Sequence, residues 1–290
     1  MDLVSIILSC HNSNKVFIDE LLAGLFAQTY INWELIVCDH DSNVSTKNWF
    51  PNDKRIKHLG EYNKDDQWQY LINNSQGGII IHHHDDDISL PHRIETQVKY
   101  LKDNSELDAC SCGVYIFGET REREISMIMK HKELERQLVF KQNIIMPTLI
   151  TKRYIKLDLD ITDKIAKTAK DFEWLSRRTD IKQDIIPTVL LKYRKHRNAD
   201  SVLNRGQLRT DHANIVCRNL KGRFNIDAPF ELGQLLDPYC PEIKMSQYIY
   251  NSCLNIFVSN KEKIIDFCGL ELYNEKMREI KSKKIIEVCK

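Results

Sequence analysis

The 290-residue chain carries 42 Lys and Arg against 41 Asp and Glu, and 42% of its residues are hydrophobic. This balance excludes a disordered or collagen-like chain and gives no strongly charged surface for nucleic acid. The length suits one large domain with a smaller appendage, the absence of any apolar run of roughly 18 residues argues against a membrane span, and nine cysteines without paired CxxC spacing point to reduced, buried thiols in a cytosol-like compartment.

Val4 to Ser9 is a β-branched run that ends in a turn and capping cluster, His11-Asn-Ser-Asn14, and so predicts a strand followed by a loop and a helix. The helix is expected from about Val16 to Gln28, with Phe17, Leu21, Leu22, Leu25 and Phe26 on one face. Trp33 to Cys38 reads as a second buried strand, closed by Asp39-His-Asp-Ser42. This β-α-β order with near-continuous apolar strands predicts an α/β fold built on a mainly parallel sheet.

A helix at about Asp66 to Asn74 leads through Gly77-Gly78 into a third strand, Ile79 to Ile81, which ends in His82-His-His-Asp-Asp-Asp87. Pro91 and the periodic Ile94, Val98 and Leu101 mark the next helix, with Asp87 or Ser89 near its start. Strands are expected at Ala109 to Phe117 and Met146 to Thr151, and a helix at Asp171 to Arg178. Beyond about residue 205 the pattern is polar and helical with no strong strand run. The expected division is therefore a catalytic domain over 1–205 and a helical C-terminal appendage over 206–290, whose terminal Glu275 to Lys290 segment reads as a surface helix, with peripheral membrane contact as the alternative.

In an open parallel sheet, ligands bind beyond the carboxyl ends of the strands, and three such ends carry polar groups here: Ser9 to Asn12, Asp39 to Ser42, and His84 to Asp87. Adjacent carboxylates repel, so the acidic triplet needs solvent or a cation, and a hard divalent ion shared with phosphate oxygens suits it. A solvated turn that caps the next helix is the plain alternative. Zinc on the three histidines fits poorly, because His83 points to the opposite face of the strand from His82 and His84.

At this point the sequence resembles the family 2 glycosyltransferases of GT-A fold. The likeness runs through Val4 to Asn12, Gln28 to Ser42, Gly77 to Ile81 and Asp85-Asp-Asp-Ile-Ser-Leu-Pro-His-Arg93, then Ala169 to Arg177 and Leu190 to His196. The resemblance implies a Rossmann-like sheet and an inverting transfer from a nucleotide-diphosphate sugar, with UDP favoured, to a hydroxyl of a glycan, protein or small molecule. It implies Mn²⁺ or Mg²⁺ at Asp86, joined by His196, and donor contacts at Ser9, His11, Asp39 and Asp85. It gives Asp171 the role of general base. Lys64 is a further conceivable phosphate contact. Three residues depart from the family pattern: His84 stands where many members have the first Asp of the DXD, Lys170 replaces the Glu before the base, and His40 replaces a second Asp. A catalytically silent nucleotide-sugar-binding domain of the same fold is the alternative that these departures raise.

Overall fold

The computed structural model describes residues 2–63, 66–155, 165–240 and 242–286. Lys64, Pro241 and Cys289 lie outside the described residues. The chain forms two compact units; among the described residues the first takes in 2–131, 144–155 and 180–199, and the second takes in 132–143, 165–179 and 200–286.

The first unit is built on strands β1 (Val4–Cys10), β2 (Trp33–Asp39), β3 (Ile56–Glu61), β4 (Ile79–His83), β5 (Ile88–Ser89), β6 (Ala109–Gly118), β7 (Arg123–Ile125), β8 (Ile150–Lys152) and β9 (Gln183–Lys195). They form one sheet in the order β3-β2-β1-β4-β8-β6-β9-β5, with β7 paired to β6. The pairs β1/β2, β1/β4, β2/β3 and β6/β9 are parallel, whereas β8 runs antiparallel to both β4 and β6. The carboxyl ends of β1, β2, β4 and β9 consequently open on one edge of the sheet.

Helices α1 (Lys15–Phe26) and α3 (Arg93–Asp103) cover one face. Ile18, Leu21, Leu22 and Leu25 of α1 and Ile94, Val98 and Leu101 of α3 pack with Val4, Ile6 and Leu8 of β1 and Ile79 and Ile81 of β4. The opposite face carries α2 (Gln67–Asn73), where the Trp68 ring meets the edge of His82 at 3.8 Å. The period-2 alternation of a strand puts His82 on that face and His83 on the other. His83 is accordingly buried beside Arg93 and bonds Ser89 Oγ at 2.9 Å, and burial pushes its imidazole down to about 3.

Two stretches differ from the sequence expectation. Met146–Thr148 is a 3₁₀ turn, and only Ile150–Lys152 is strand, because Pro147 removes a ladder donor. Gln183–Lys195, of which the sequence reading takes in only Leu190 onward and by resemblance alone, is the longest strand of the sheet.

The second unit contains α4 (His131–Gln137), α5 (Lys170–Arg177), α6 (Asp200–Leu203), α7 (Arg205–Phe224), α8 (Phe230–Leu236), α9 (Gln247–Ser259), α10 (Lys261–Cys268) and α11 (Leu270–Ser282). It also holds a two-stranded parallel sheet of β10 (Glu242–Lys244) and β11 (Lys284–Ile286), which corrects the expectation of a strand-free C-terminal region and of a helix running past Ser282. Helix α7 ties the earlier segments into this unit. Asn219 Nδ2 donates to the Leu138 and Val139 carbonyls at 3.2 and 3.1 Å, and Arg218 bonds Glu173 and, at 2.7 Å, Ser176 Oγ.

Candidate active site

At the carboxyl edge of β1 and β2, Asp39 is buried at 1% exposure and its carboxylate accepts the Thr46 hydroxyl at 2.6 Å, the Ser45 hydroxyl at 2.9 Å and the Thr46 N–H at 3.1 Å. It thereby shapes the loop that follows β2. His11 is exposed, and its Nδ1–H donates to the His40 carbonyl at 2.9 Å. His40 in turn donates through Nδ1 to the Tyr62 carbonyl at 2.9 Å. Asn12 and Asp41 both adopt positive φ, 48° and 44°, a conformation that Asn and Asp tolerate better than most residues. Ser9 is half-buried at the end of β1, beside the Cys38 thiol.

The acidic segment follows β4. Its position is set by the two-residue strand β5, which turns back and pairs antiparallel with β9 through Ile88 and Lys192. Asp87 continues that pairing with its side chain: one carboxylate oxygen accepts the Arg194 N–H at 2.9 Å. The guanidinium of Arg194 donates to the Asp86 carbonyl at 2.8 Å and pairs with Glu20. Residues 84–87 are thus fastened beside the end of β9, where His196 Nε2 lies 3.0 Å from Asp86 Oδ2.

His84, Asp86 and Asp87 each offer a ligand atom, and those atoms lie within 4.8 Å of one another. The second oxygen of Asp87 is buried and has no hydrogen-bond partner. Burial, with the neighbouring Asp86 charge, pushes the Asp87 carboxyl well above the usual carboxylate range. A buried carboxylate oxygen without a donor suits a cation site, because a bound ion would supply the charge that favours its ionised form, and two carboxylates with an imidazole fit a divalent ion. Asp85 points elsewhere and accepts the Ser13 hydroxyl; burial raises its pKa, and Ser13 opposes the shift.

The sequence singled out Asp86 and His196, and these are in contact. It placed Asp87 within the acidic triplet or near the start of the next helix and gave it no individual ligand role; the N-cap of α3 is His92. The partner of Asp87 is 107 residues away in β9, and no local signal reports such a pairing.

Within the second unit, Asp171 lies in the first turn of α5, two residues after the N-cap Ala169. One of its oxygens accepts the Phe172 N–H at 2.8 Å and the other accepts Gln142 Nε2 at 2.7 Å. The other carboxylate of this helix, Glu173, is fully buried and ion-paired with Arg177 at 3.1 Å and with Arg218. Trp174 is fully buried, a core residue.

Residues 5–161 match the family model described as glycosyl transferase family 2. An uncharacterized glycosyltransferase of Methanocaldococcus jannaschii is 28% identical over 216 residues, covering 70% of this chain and 74% of its own length. The O-antigen biosynthesis glycosyltransferase WbnJ of Escherichia coli is 24% identical over 219 residues, covering 68% of this chain and 81% of its own. Among solved structures, residues 1–349 of S. aureus TarS in complex with UDP-GlcNAc share the fold with a TM-score of 0.59 at 15% identity, over 97% of this chain and 88% of that one.

Proposed function

The chain belongs to glycosyl transferase family 2 and is a glycosyltransferase of GT-A fold, and from that premise we propose that it moves a sugar from a UDP-sugar to an acceptor hydroxyl with inversion, assisted by a divalent cation. The observation that carries this reading is the convergence of His84, Asp86, Asp87 and His196 at the carboxyl edge of the sheet. A nucleotide diphosphate brings oxygens of the kind that such a cation shares with carboxylates. TarS, of the same fold, is seen with UDP-GlcNAc, which supports UDP as the nucleotide.

Transfer needs removal of the acceptor proton, stabilisation of an oxocarbenium-like transition state and neutralisation of the departing diphosphate. His84, Asp86 and Asp87 would hold Mn²⁺ or Mg²⁺, with His196 beside them and bonded to Asp86. When bound, the ion supplies positive charge for the diphosphate. Asp171 takes the acceptor proton. Gln142 Nε2 and the Phe172 N–H hold its carboxylate in one orientation, as a base needs. Glu173 is committed to two arginines and is unsuited to the task.

Ser9, His11, Asp39 and Asp85 line the nucleotide side. His11 offers an exposed ring to the base, while Asp39 acts by holding the 45–46 loop in shape. The domain over 1–205 carries the donor chemistry and 206–290 forms the appendage. The acceptor is a glycan, protein or small molecule rather than a nucleic acid. Eight described cysteines are free thiols, most of them buried, which supports a reducing, cytosol-like compartment, with peripheral membrane contact compatible with it. No helix among the described residues is long and apolar enough to cross a membrane.

Incubating the protein with UDP-sugars and Mn²⁺, with mass spectrometry of the products and NMR of the anomeric proton, tests the reading. Sugar transfer or donor hydrolysis with inverted configuration is expected. Binding without turnover, or retention of configuration, overturns it.

A further inference from the structure

We propose that His84 is a direct ligand, so that the site takes a transition-metal ion of the Mn²⁺, Co²⁺ or Zn²⁺ kind, bound partly through nitrogen, in preference to Mg²⁺. The inference rests on the cation site proposed above and deepens it.

Three observations support it. The ligating nitrogen of His84 and oxygens of Asp86 and Asp87 lie within 4.8 Å of one another. An ion about 2.0–2.3 Å from each donor needs donors no more than about 4.6 Å apart, so the set closes on an ion with little movement. Asp87 is fully buried, one of its oxygens is taken by the Arg194 N–H, and the other has no partner. That buried, unpartnered oxygen calls for positive charge, on a residue that offers a carboxylate oxygen to the cluster. The His84 ring, finally, is held from behind: the His82 ring meets it edge-on at 5.4 Å, and His82 is itself wedged against Trp68 at 3.8 Å. An imidazole braced in this way is pre-organised as a ligand rather than free to swing into solvent.

The ligand chemistry sets the ion. Mg²⁺ prefers an octahedron of oxygens and sheds water reluctantly, whereas imidazole nitrogen suits the later first-row ions. Exchanging one carboxylate oxygen for an imidazole keeps the number of donors and removes one negative charge. The nitrogen donor and the lost charge both disfavour Mg²⁺. His196 Nε2 bonds Asp86 Oδ2 at 3.0 Å and acts on the ion by orienting that carboxylate, as groups behind a metal ligand commonly do.

The test uses the full chain and Mn²⁺, with and without UDP, and needs no turnover. Mn²⁺ and Mg²⁺ affinities come from EPR and competition titration, and coordinated nitrogen comes from the ¹⁴N signal in pulsed EPR of the Mn²⁺-loaded protein. The wild type is expected to show the imidazole ¹⁴N signal and to bind Mn²⁺ at least a hundredfold more tightly than Mg²⁺. His84→Asp should lose that signal and lower the Mn²⁺ to Mg²⁺ preference at least tenfold, with folding checked by its melting temperature in the Mn²⁺-loaded form; His196→Asn should keep the signal. If Asp86→Asn abolishes Mn²⁺ binding but His84→Asp leaves both signal and preference unchanged, His84 is no ligand and the proposed function stands. If the wild type binds no Mn²⁺ even with UDP present, the cation site falls and this inference falls with it.

Discussion

Asp211, in the first half of α7, is a residue whose replacement should separate positioning of the proposed base Asp171 from donor binding. Its Oδ2 accepts the N–H groups of Lys167, Thr168 and Ala169 at 2.8, 2.6 and 3.1 Å and the Thr168 hydroxyl at 2.9 Å. These residues lead into α5, whose N-cap Ala169 has no capping side chain of its own. The Asp211 carboxylate, 1% exposed, therefore serves the helix entry from another segment of the same unit. Asp211→Asn keeps the shape but removes the charge, and its NH₂ meets donors if it faces the loop. Hydrogen bonds to a charged group are worth about 1.5–3 kcal/mol each, and bonds sharing one oxygen do not add, so a loss of about 2–3 kcal/mol is expected. For a chain of this size that lowers Tm by about 5–10 °C.

Asp171 lies two residues past Ala169, and a misplacement on the order of 1 Å can cost about 10²-fold in rate. The variant should consequently lose tenfold or more in kcat at an unchanged KM for the donor. Burial raises the Asp211 pKa, but the bonds from Thr168, Gln207 and Ala169 outweigh it and hold the carboxyl below 3.8. A depressed folded pKa means that the stabilisation is complete above that value and is lost as pH falls through the folded pKa. Denaturant unfolding should accordingly show the gap between wild type and variant closing as the pH is lowered through that range. A variant with wild-type Tm and kcat at pH 7 refutes the argument.

Three further outcomes are expected. Asp86→Asn should abolish Mn²⁺-dependent UDP binding in titration calorimetry, because it removes a hard anionic ligand at nearly constant size; unchanged affinity and metal dependence would make Asp86 a turn residue. Asp171→Asn should lower turnover by about 10²–10⁴ with donor affinity and Tm intact, the range typical of a lost general base. Gly77→Ala should destabilise by about 1–3 kcal/mol in denaturant melts, since its Cβ would lie 2.6 Å from the Ser5 backbone nitrogen, while Gly78→Ala, with nothing within 4 Å, should be nearly neutral.

The parts of the fold legible in the sequence are those whose pattern is local. β1 and β2 are buried on both faces, so they read as unbroken apolar runs, and α1 shows its single apolar stripe. β3 is a polar edge strand, Ile-Lys-His-Leu-Gly-Glu, and gives no such run. β9 carries Pro187 and the charged Lys192 and Arg194, so its composition hides a strand that its pairing with β6 creates. β11 was concealed because Lys284 to Ile286 continues the basic, amphipathic pattern of α11. The same division runs through the site. Asp86 and Asp171 stand in short recognisable segments, whereas Asp87 and Asp211 act on backbone N–H groups 107 and 42 to 44 residues away.

The departures from the family pattern also make physical sense together. Asp85, Asp86 and Asp87 are consecutive, and Asp85 and Asp87 are both pushed toward protonation by burial and by the Asp86 charge. A fourth carboxylate at position 84 would deepen that repulsion. An imidazole there donates a lone pair to a cation without adding charge. On α5, Lys170 takes the place of an acid while Glu173 is paired with Arg177 and Arg218, and Asp171 is held apart from those ion pairs by Gln142 and the Phe172 N–H. In each segment a carboxylate beside the proposed reactive one is buried and held by other residues: Asp87 by the Arg194 N–H, and Glu173 by Arg177 and Arg218.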